Sequence, residues 1–191
     1  MSVQIAPIAE SHGESFCACL DSVARERRYL AQIEALPLER VLAFVRESVA
    51  KDAAQFVALD GQRVVGWCDI FPGWAHAVRH RGTLGMGVRA EYRDQGIGKR
   101  LLAACIAKAG AKGITRIELE ARADNERAIK LYERFGFVHE ARVRRAMRFD
   151  DVYYDAVQMS FVYPDTGGLR EASGEASHLP RSPVSPCLKE R

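Results

Sequence analysis

The sequence predicts an α/β fold: a single mixed sheet (α+β in its strand pairing) with helices on both faces. The predicted order, β-α-α-β-β-β-α-β-α-β-β, lacks the strict alternation of a doubly wound parallel sheet. Three observations lead there. The apolar pattern switches repeatedly between a two-residue and a 3.6-residue period. Two apolar runs meet at Asp60-Gly61, a hairpin signal, so part of the sheet is antiparallel. Gly96 and Gly98 sit between an apolar strand and an amphipathic helix, where glycine lets the backbone turn tightly and approach a ligand closely.

Taken in order, residues 3–8 read as a short strand, followed by helical stretches over 11–35 and 38–51. The second places Leu38, Val41, Leu42, Val45 and Val49 on one face. Residues 56–59 and 64–71 are the hairpin strands, and 83–88 is a further strand. The helix over 97–110 lines one side with Ile97, Leu101, Leu102, Cys105, Ile106 and Ala109. In the strand over 114–121, Ile117 and Leu119 share one face while Glu118 and Glu120 share the other. Asp124 is the expected N-cap of a helix running through Phe135, with Asn125 as a second candidate cap and Gly136 suited to terminate it. Strands over 137–148 and 152–162 close the domain around Asp150-Asp151. From 164 to 191, proline, glycine and serine dominate and few large apolar groups remain. Such a composition cannot offset the entropy of ordering, so the expectation is one domain over 1–163 and a disordered tail over 164–191.

Composition limits the function. At 191 residues the chain can bury one good core, and 48% hydrophobic with 28% charged residues is globular in character. A net charge of +3 and a pI near 8.6 give little support to nucleic-acid binding, which favours clustered cations and a higher pI. No apolar run reaches membrane-spanning length, and the first residues lack a signal-peptide layout. The five cysteines, Cys17, Cys19, Cys68, Cys105 and Cys187, are odd in number and scattered. Reduced thiols and a cytoplasmic location are expected, with no membrane or nucleic-acid partner.

Spacing separates three phosphate-binding motifs. A P-loop requires glycine where Arg93 stands, so that motif fails. Gly85-Met86-Gly87-Val88-Arg89-Ala90 fits a dinucleotide pattern, but no helix starts there and no acid ends a following strand at the right distance. What survives is Arg93-x-x-Gly96-x-Gly98 directly ahead of a helix, whose unpaired N–H groups and dipole favour phosphate. Further on comes Asn125-x-x-Ala128-x-x-Leu131-Tyr132-x-x-x-Gly136-Phe137.

In this order and at this spacing, the two segments resemble the GNAT family of acyl-CoA-dependent N-acetyltransferases. The resemblance runs from about Phe56 to Val162 and weakly from Val3, and is closest in feel to the subgroup acting on small molecules and amino acids. It implies a twisted, mostly antiparallel sheet splayed between its fourth and fifth strands, with acetyl-CoA in the opening and no metal. Backbone groups of Met86, Gly87 and Val88 would bond the pantetheine arm. Amides of Gln95, Gly96, Ile97, Gly98 and Lys99 would hold the pyrophosphate, Arg93 would serve loop shape or charge, and Asn125 would fix the far side. The acceptor amine would attack directly, and Tyr132 would protonate the departing thiolate. Tyr132 also reads as a plain core aromatic beside Leu131 and Phe135.

The amine needs a base. Residues 83–88 carry no carboxylate, although many relatives place a glutamate there. Glu120 stands like the catalytic glutamate of ribosomal-protein N-terminal acetyltransferases, against the alternative of a solvated strand face paired with Arg116 and Arg122. Asp69, His76 and His80 are further candidates. The run from Arg142 to Asp155 resembles the amino-acid-acetylating subgroup but lacks its glycine after Asp150, and its four arginines also fit an exposed strand face. The expected reaction is acetyl transfer to a primary amine of a small molecule such as an amino acid. The alternatives are a protein N-terminal or lysine acetyltransferase, or a non-catalytic acyl-CoA-binding module. Relatives of this kind are often dimers, so a homodimer through the last two strands is an option by analogy.

Overall fold

A single residue-pairing pattern explains the architecture of the computed structural model, which describes residues 3–164. Strands β1 (Gln4–Pro7), β2 (Ala54–Asp60), β3 (Arg63–Pro72) and β4 (Arg81–Val88) pair antiparallel in sequence. Strands β5 (Arg116–Arg122), β6 (Val138–Phe149) and β7 (Val152–Val162) complete the sheet in the order β1-β2-β3-β4-β5-β7-β6. The β4–β5 pair alone is parallel, and it is short: Arg81↔Arg116, Gly82↔Ile117 and Thr83↔Glu118. Beyond Thr83 and Glu118 the two strands part, as the family resemblance implies. The tail expected over 164–191 lies, beyond Pro164, outside the described residues.

Four helices cover the sheet: α1 (Gly13–Ala24), α2 (Leu38–Ala50), α3 (Ile97–Ala111) and α4 (Glu126–Arg134). Strand alternation sorts the side chains. Cys68, Ile70, Leu84, Ile117, Leu119 and Met159 join α3 and α4 in the larger core, whereas Val57, Val64 and Trp67 pack beneath α1 and α2 with Phe16, Val23, Val41 and Val45. Burying so many complete aliphatic side chains is the main stabilising term, at about 1.5–3 kcal/mol each. On the α1–α2 side this second core draws its strand residues from β2 and β3, and the acids of β5 lie past it.

Two boundaries differ from the sequence reading. The helix expected over 11–35 ends at Ala24, and Arg27 adopts φ 49°. Charged groups there are claimed by distant partners, Glu26 by Arg93 and Arg27 by Asp150, while the Ala35 N–H donates to Asp21. The cap of α4 is Asn125, whose Oδ1 accepts from Ala128 N at 3.3 Å. Asp124 instead grips Arg122 through two bonds, at 2.6 and 2.8 Å.

Candidate active site

The gap between β4 and β5 exposes a particular set of peptide groups. Gly73 N–H donates to Arg81 O at 2.8 Å, and Arg89 N–H to Val65 O at 2.9 Å. No register shift intervenes in the β3–β4 ladder. Because bonding direction alternates along an antiparallel strand, Gly85 and Gly87 turn their peptide groups to β3. Leu84, Met86 and Val88 turn theirs into the gap. The Val88 carbonyl already accepts Arg93 Nε at 2.8 Å. Gly85 and Gly87 have a packing reason instead: a Cβ at residue 87 would lie 2.4 Å from the Trp67 ring, and one at residue 85 would lie 2.9 Å from Asp69 Oδ1.

At the open end of the gap the chain turns into α3. Asp94 and Gly96 hold φ of 62° and 73°, and Arg100 N–H is bonded back to Gly96 O at 3.2 Å. The preceding amides at the start of the helix lack intrahelical acceptors and face outward with the positive end of the dipole. Gly98 keeps this surface low: a Cβ there would touch Leu131 and Met86 at 3.4 Å. Strand, loop and α4 therefore converge on one shallow cradle with the polarity to receive an anion. Lys99 is exposed beside it, and Gln95 Nε2 donates to Glu91 O. Arg93 is committed elsewhere: its guanidinium is forked onto Glu26, stacked near Tyr29 and bonded to Val88 O. That arrangement shapes the loop.

Tyr132 is buried in the larger core, its ring centroid 5.7 Å from Phe137. Its hydroxyl makes no hydrogen bond among the described residues, and desolvation with the nearby Cys68 raises its pKa strongly. The phenol therefore stays protonated throughout the neutral range. Asn125, with Oδ1 engaged as the cap, leaves Nδ2 available.

On the opposite sheet face a groove of about 390 Å³ is lined by Arg81, Thr83, Glu118, Glu120, Glu140 and Gln158, among others. The two β5 acids differ. Glu118 is bonded to Arg116 at 2.7 Å and Arg81 at 2.6 Å; desolvation opposes its ionisation, but the two arginines hold it below the usual range. Glu120 is exposed and makes no ion pair among the described residues, because Arg116 serves Glu118 and Glu140 and Arg122 serves Asp124. Asp69 shares this sheet face on β3, and burial pushes its carboxyl up to about 7. Sequence reasoning could name Asp69 but could not place it, since the β3–β4 register decides what it faces. His76 and His80 are elsewhere: they line an apolar cavity of about 580 Å³ at the paired end of β4, with Ile70, Phe71 and Ile114. Of the four arginines of β6, Arg142 pairs with Asp155 and Arg148 with Asp151. Among the described residues no cluster of His, Cys, Asp and Glu could hold a metal, and no helix is long and apolar enough to cross a membrane.

Known proteins resemble this chain in sequence and in fold. N-alpha-acetyltransferase 30 of Schizosaccharomyces pombe is 36% identical over 91 residues, which are 47% of this chain and 61% of that protein. Mycothiol acetyltransferase of Acidimicrobium ferrooxidans is 36% identical over 107 residues, 53% of this chain and 33% of that protein. The chain thus matches only part of the length of either relative. A GNAT-superfamily phosphinothricin acetyltransferase from Sinorhizobium meliloti, solved in complex with acetyl-CoA, shares the fold. Its TM-score is 0.76 at 17% identity, covering 87% of this chain and 98% of that one. The model of the acetyltransferase (GNAT) family matches residues 18–137, more than half of the chain, and with the splayed sheet and glycine cradle this shows that the chain belongs to the GNAT family.

Proposed function

We propose that this protein transfers acetyl from acetyl-CoA to the primary amine of a small molecule such as an amino acid, in a reducing, cytoplasmic setting. The observation that carries this reading is the cradle itself. The amides from Gly96 to Lys99, without acceptors among the described residues, open onto a strand gap that has Tyr132 on one face and an acid-lined groove on the other. Acetyl-CoA supplies an activated acetyl carbon as its thioester. The amides of residues 95–99 hold its pyrophosphate, and the Met86 and Val88 peptide edges align the pantetheine arm. Arg93 fixes the loop through Val88 and Glu26, and Asn125 Nδ2 faces the far side of the donor. Tyr132 gives its proton to the departing sulfur. Glu120, unpaired at the groove, strips the incoming ammonium so that a neutral amine arrives.

The groove's volume and three carboxylates suit a small cationic acceptor. The free thiols Cys17, Cys19, Cys68 and Cys105 support the reducing setting. A second reading, the α-amine of a protein, is favoured by the N-alpha-acetyltransferase name of one relative. Thiol release from acetyl-CoA with single amino acids, polyamines and short peptides separates them. Turnover restricted to amino acids supports the first reading, and turnover restricted to peptides replaces it with the second. Tyr132→Phe should lower turnover by about 10²-fold or more while acetyl-CoA binding persists; full turnover across the pH range would remove the acid role.

A further inference from the structure

Strand β4 offers no carboxylate to the gap, yet one stands on it. Asp69 pairs with Gly85 across the β3–β4 ladder, and its Oδ1 lies 2.9 Å from where a Cβ of residue 85 would be. Because residue 85 is glycine, the Asp69 carboxylate occupies the volume a β4 side chain would fill. Gly85 follows Thr83, the last β4 residue paired to β5, so this volume lies at the apex of the gap. Thr83, Glu118 and Glu120 share its sheet face by strand alternation.

The neighbouring residue gives a second coordinate. Cys68 projects to the other face, into the core that contains Tyr132, and its thiol lies close enough to Tyr132 to raise that phenol. Asp69 in turn acts on Cys68. Asp69 stands on the groove side of the sheet, and Cys68 with Tyr132 on the α3–α4 side. The acceptor nitrogen adds to one face of the planar thioester carbonyl, and a base on the groove side is placed to take its proton as that bond forms.

Among the described residues no cation neutralises this carboxylate. The Gly85 backbone beside it offsets its desolvation only in part, and no salt bridge includes it among the described residues. The surrounding elements bring little charge. Gln55 of β2 and Thr83, Gly85 and Gly87 of β4 are uncharged. The buried faces of α1 and α2 present Phe16, Cys19 and Val23, and Val41, Val45 and Ser48. Among these Cys19 alone titrates, and burial pushes its thiol up to about 11. From β5, Glu118 is tied to Arg81 and Arg116, which leaves Glu120. Gln55, in register with Asp69, is fully buried, and neither Oε1 nor Nε2 is bonded among the described residues. An orphaned buried amide beside a desolvated carboxylate marks a place for ordered water, which would connect Asp69 to its surroundings.

We propose that Asp69 is the catalytic base that takes the proton from the acceptor nitrogen as it bonds to the acetyl carbon. This rests on the acetyl-transfer reading above. The nitrogen–carbon bond forms and the carbon–sulfur bond breaks. Tyr132 passes its proton to sulfur, and Asp69 receives the one leaving nitrogen. The carboxylic acid then returns its proton to water as the tyrosinate regains one. Glu120 acts earlier, on the ammonium, so two carboxylates account for two nitrogen protons.

The full chain, as wild type, Asp69→Asn and Gly85→Ala, tests this through three readouts. These are acetyl-CoA titration calorimetry, thiol release with an equimolar mixture of the twenty amino acids and an alanine-initiated peptide, and thermal midpoint from pH 5 to 9. Asp69→Asn should bind acetyl-CoA like wild type, lose about a hundredfold in turnover and lose the wild-type fall in rate below about pH 7. Its midpoint should no longer decline, relative to wild type, as pH rises through that range. Gly85→Ala, which displaces the carboxylate with a methyl group, should lose about tenfold in turnover with binding intact. Active wild type alongside an Asp69→Asn variant within twofold of it, with the same pH limb, overturns the proposal and leaves the family reading standing. A wild type that binds no acetyl-CoA, or binds it without releasing thiol, overturns the acetyl-transfer reading and this proposal with it.

Discussion

Asp150 and Asp151 show how a single residue stores cost. Both hold positive φ, 46° and 65°, in the β6–β7 turn, the backbone of a type I′ hairpin that favours glycine at the second position. The turn missing its expected glycine nonetheless keeps the glycine conformation, at a steric cost in Asp151. Asp151→Gly should therefore raise stability by about 1 kcal/mol, seen as a thermal midpoint higher by about 2–4 °C; the exposed Arg148 pair it removes contributes little. Asp69 presents the reverse case. Its folded-state value of about 7 lies above the ordinary value of 3.8, so the folded chain retains a proton that the unfolded chain has released. Stability is greatest below about pH 4 for this group and declines as pH rises toward 7. Asp69→Asn should accordingly stabilise the protein at pH 8, by about 1–2 kcal/mol, and do so less at pH 5.

At the scale of elements, the loop from Arg25 to Pro37 links the helical layer to the cradle. The Glu26–Arg93 fork is partly buried, with side-chain exposures of 26% and 14%, and Arg93 also holds the Val88 carbonyl. Removing one partner of such a pair leaves the other desolvated and unmatched. Glu26→Gln should therefore weaken acetyl-CoA binding about three- to tenfold, about 1 kcal/mol, without touching any donor-binding atom; unchanged affinity by calorimetry would show that the fork only stabilises the fold. None of this was readable from sequence, where Glu26 and Arg93 are far apart and the apolar pattern over 11–35 suggests one long helix. By contrast, α2 and α3 were legible because each buries one face and its period shows directly, and β2 and β3 because their apolar runs, buried on both faces, flank Asp60-Gly61. The α4 cap was half legible: Asp124 and Asn125 are chemically equivalent caps, and only the competing demand of Arg122 for Asp124 decides between them.

Across the whole molecule, the splay between β4 and β5 frames the candidate site, and the sequence carried it through two separated motifs rather than through any strand pattern. Gly96 and Gly98 were legible because positive φ and close approach need glycine. The alternation that gives Met86 and Val88 to the gap, and Gly87 to β3, depends on register, as does the placing of Asp69 against Gly85. Register is a pairing property, and a single strand does not encode it. The last described residues are anchored, Tyr163 N–H to Thr115 O at 3.0 Å and Tyr163 hydroxyl to Ile106 O at 2.5 Å. Ending the chain after Tyr163 should therefore leave the folded domain and its donor binding unchanged; a lower thermal midpoint would show that later residues support the core. The most direct test of the cradle is calorimetric titration of acetyl-CoA into the full chain, beside a Gly98→Asp variant that sets a carboxylate against the unpaired amides. Saturable one-site binding by wild type, weakened at least tenfold in the variant, is the expected result. No binding, or equal binding by both proteins, would contradict it.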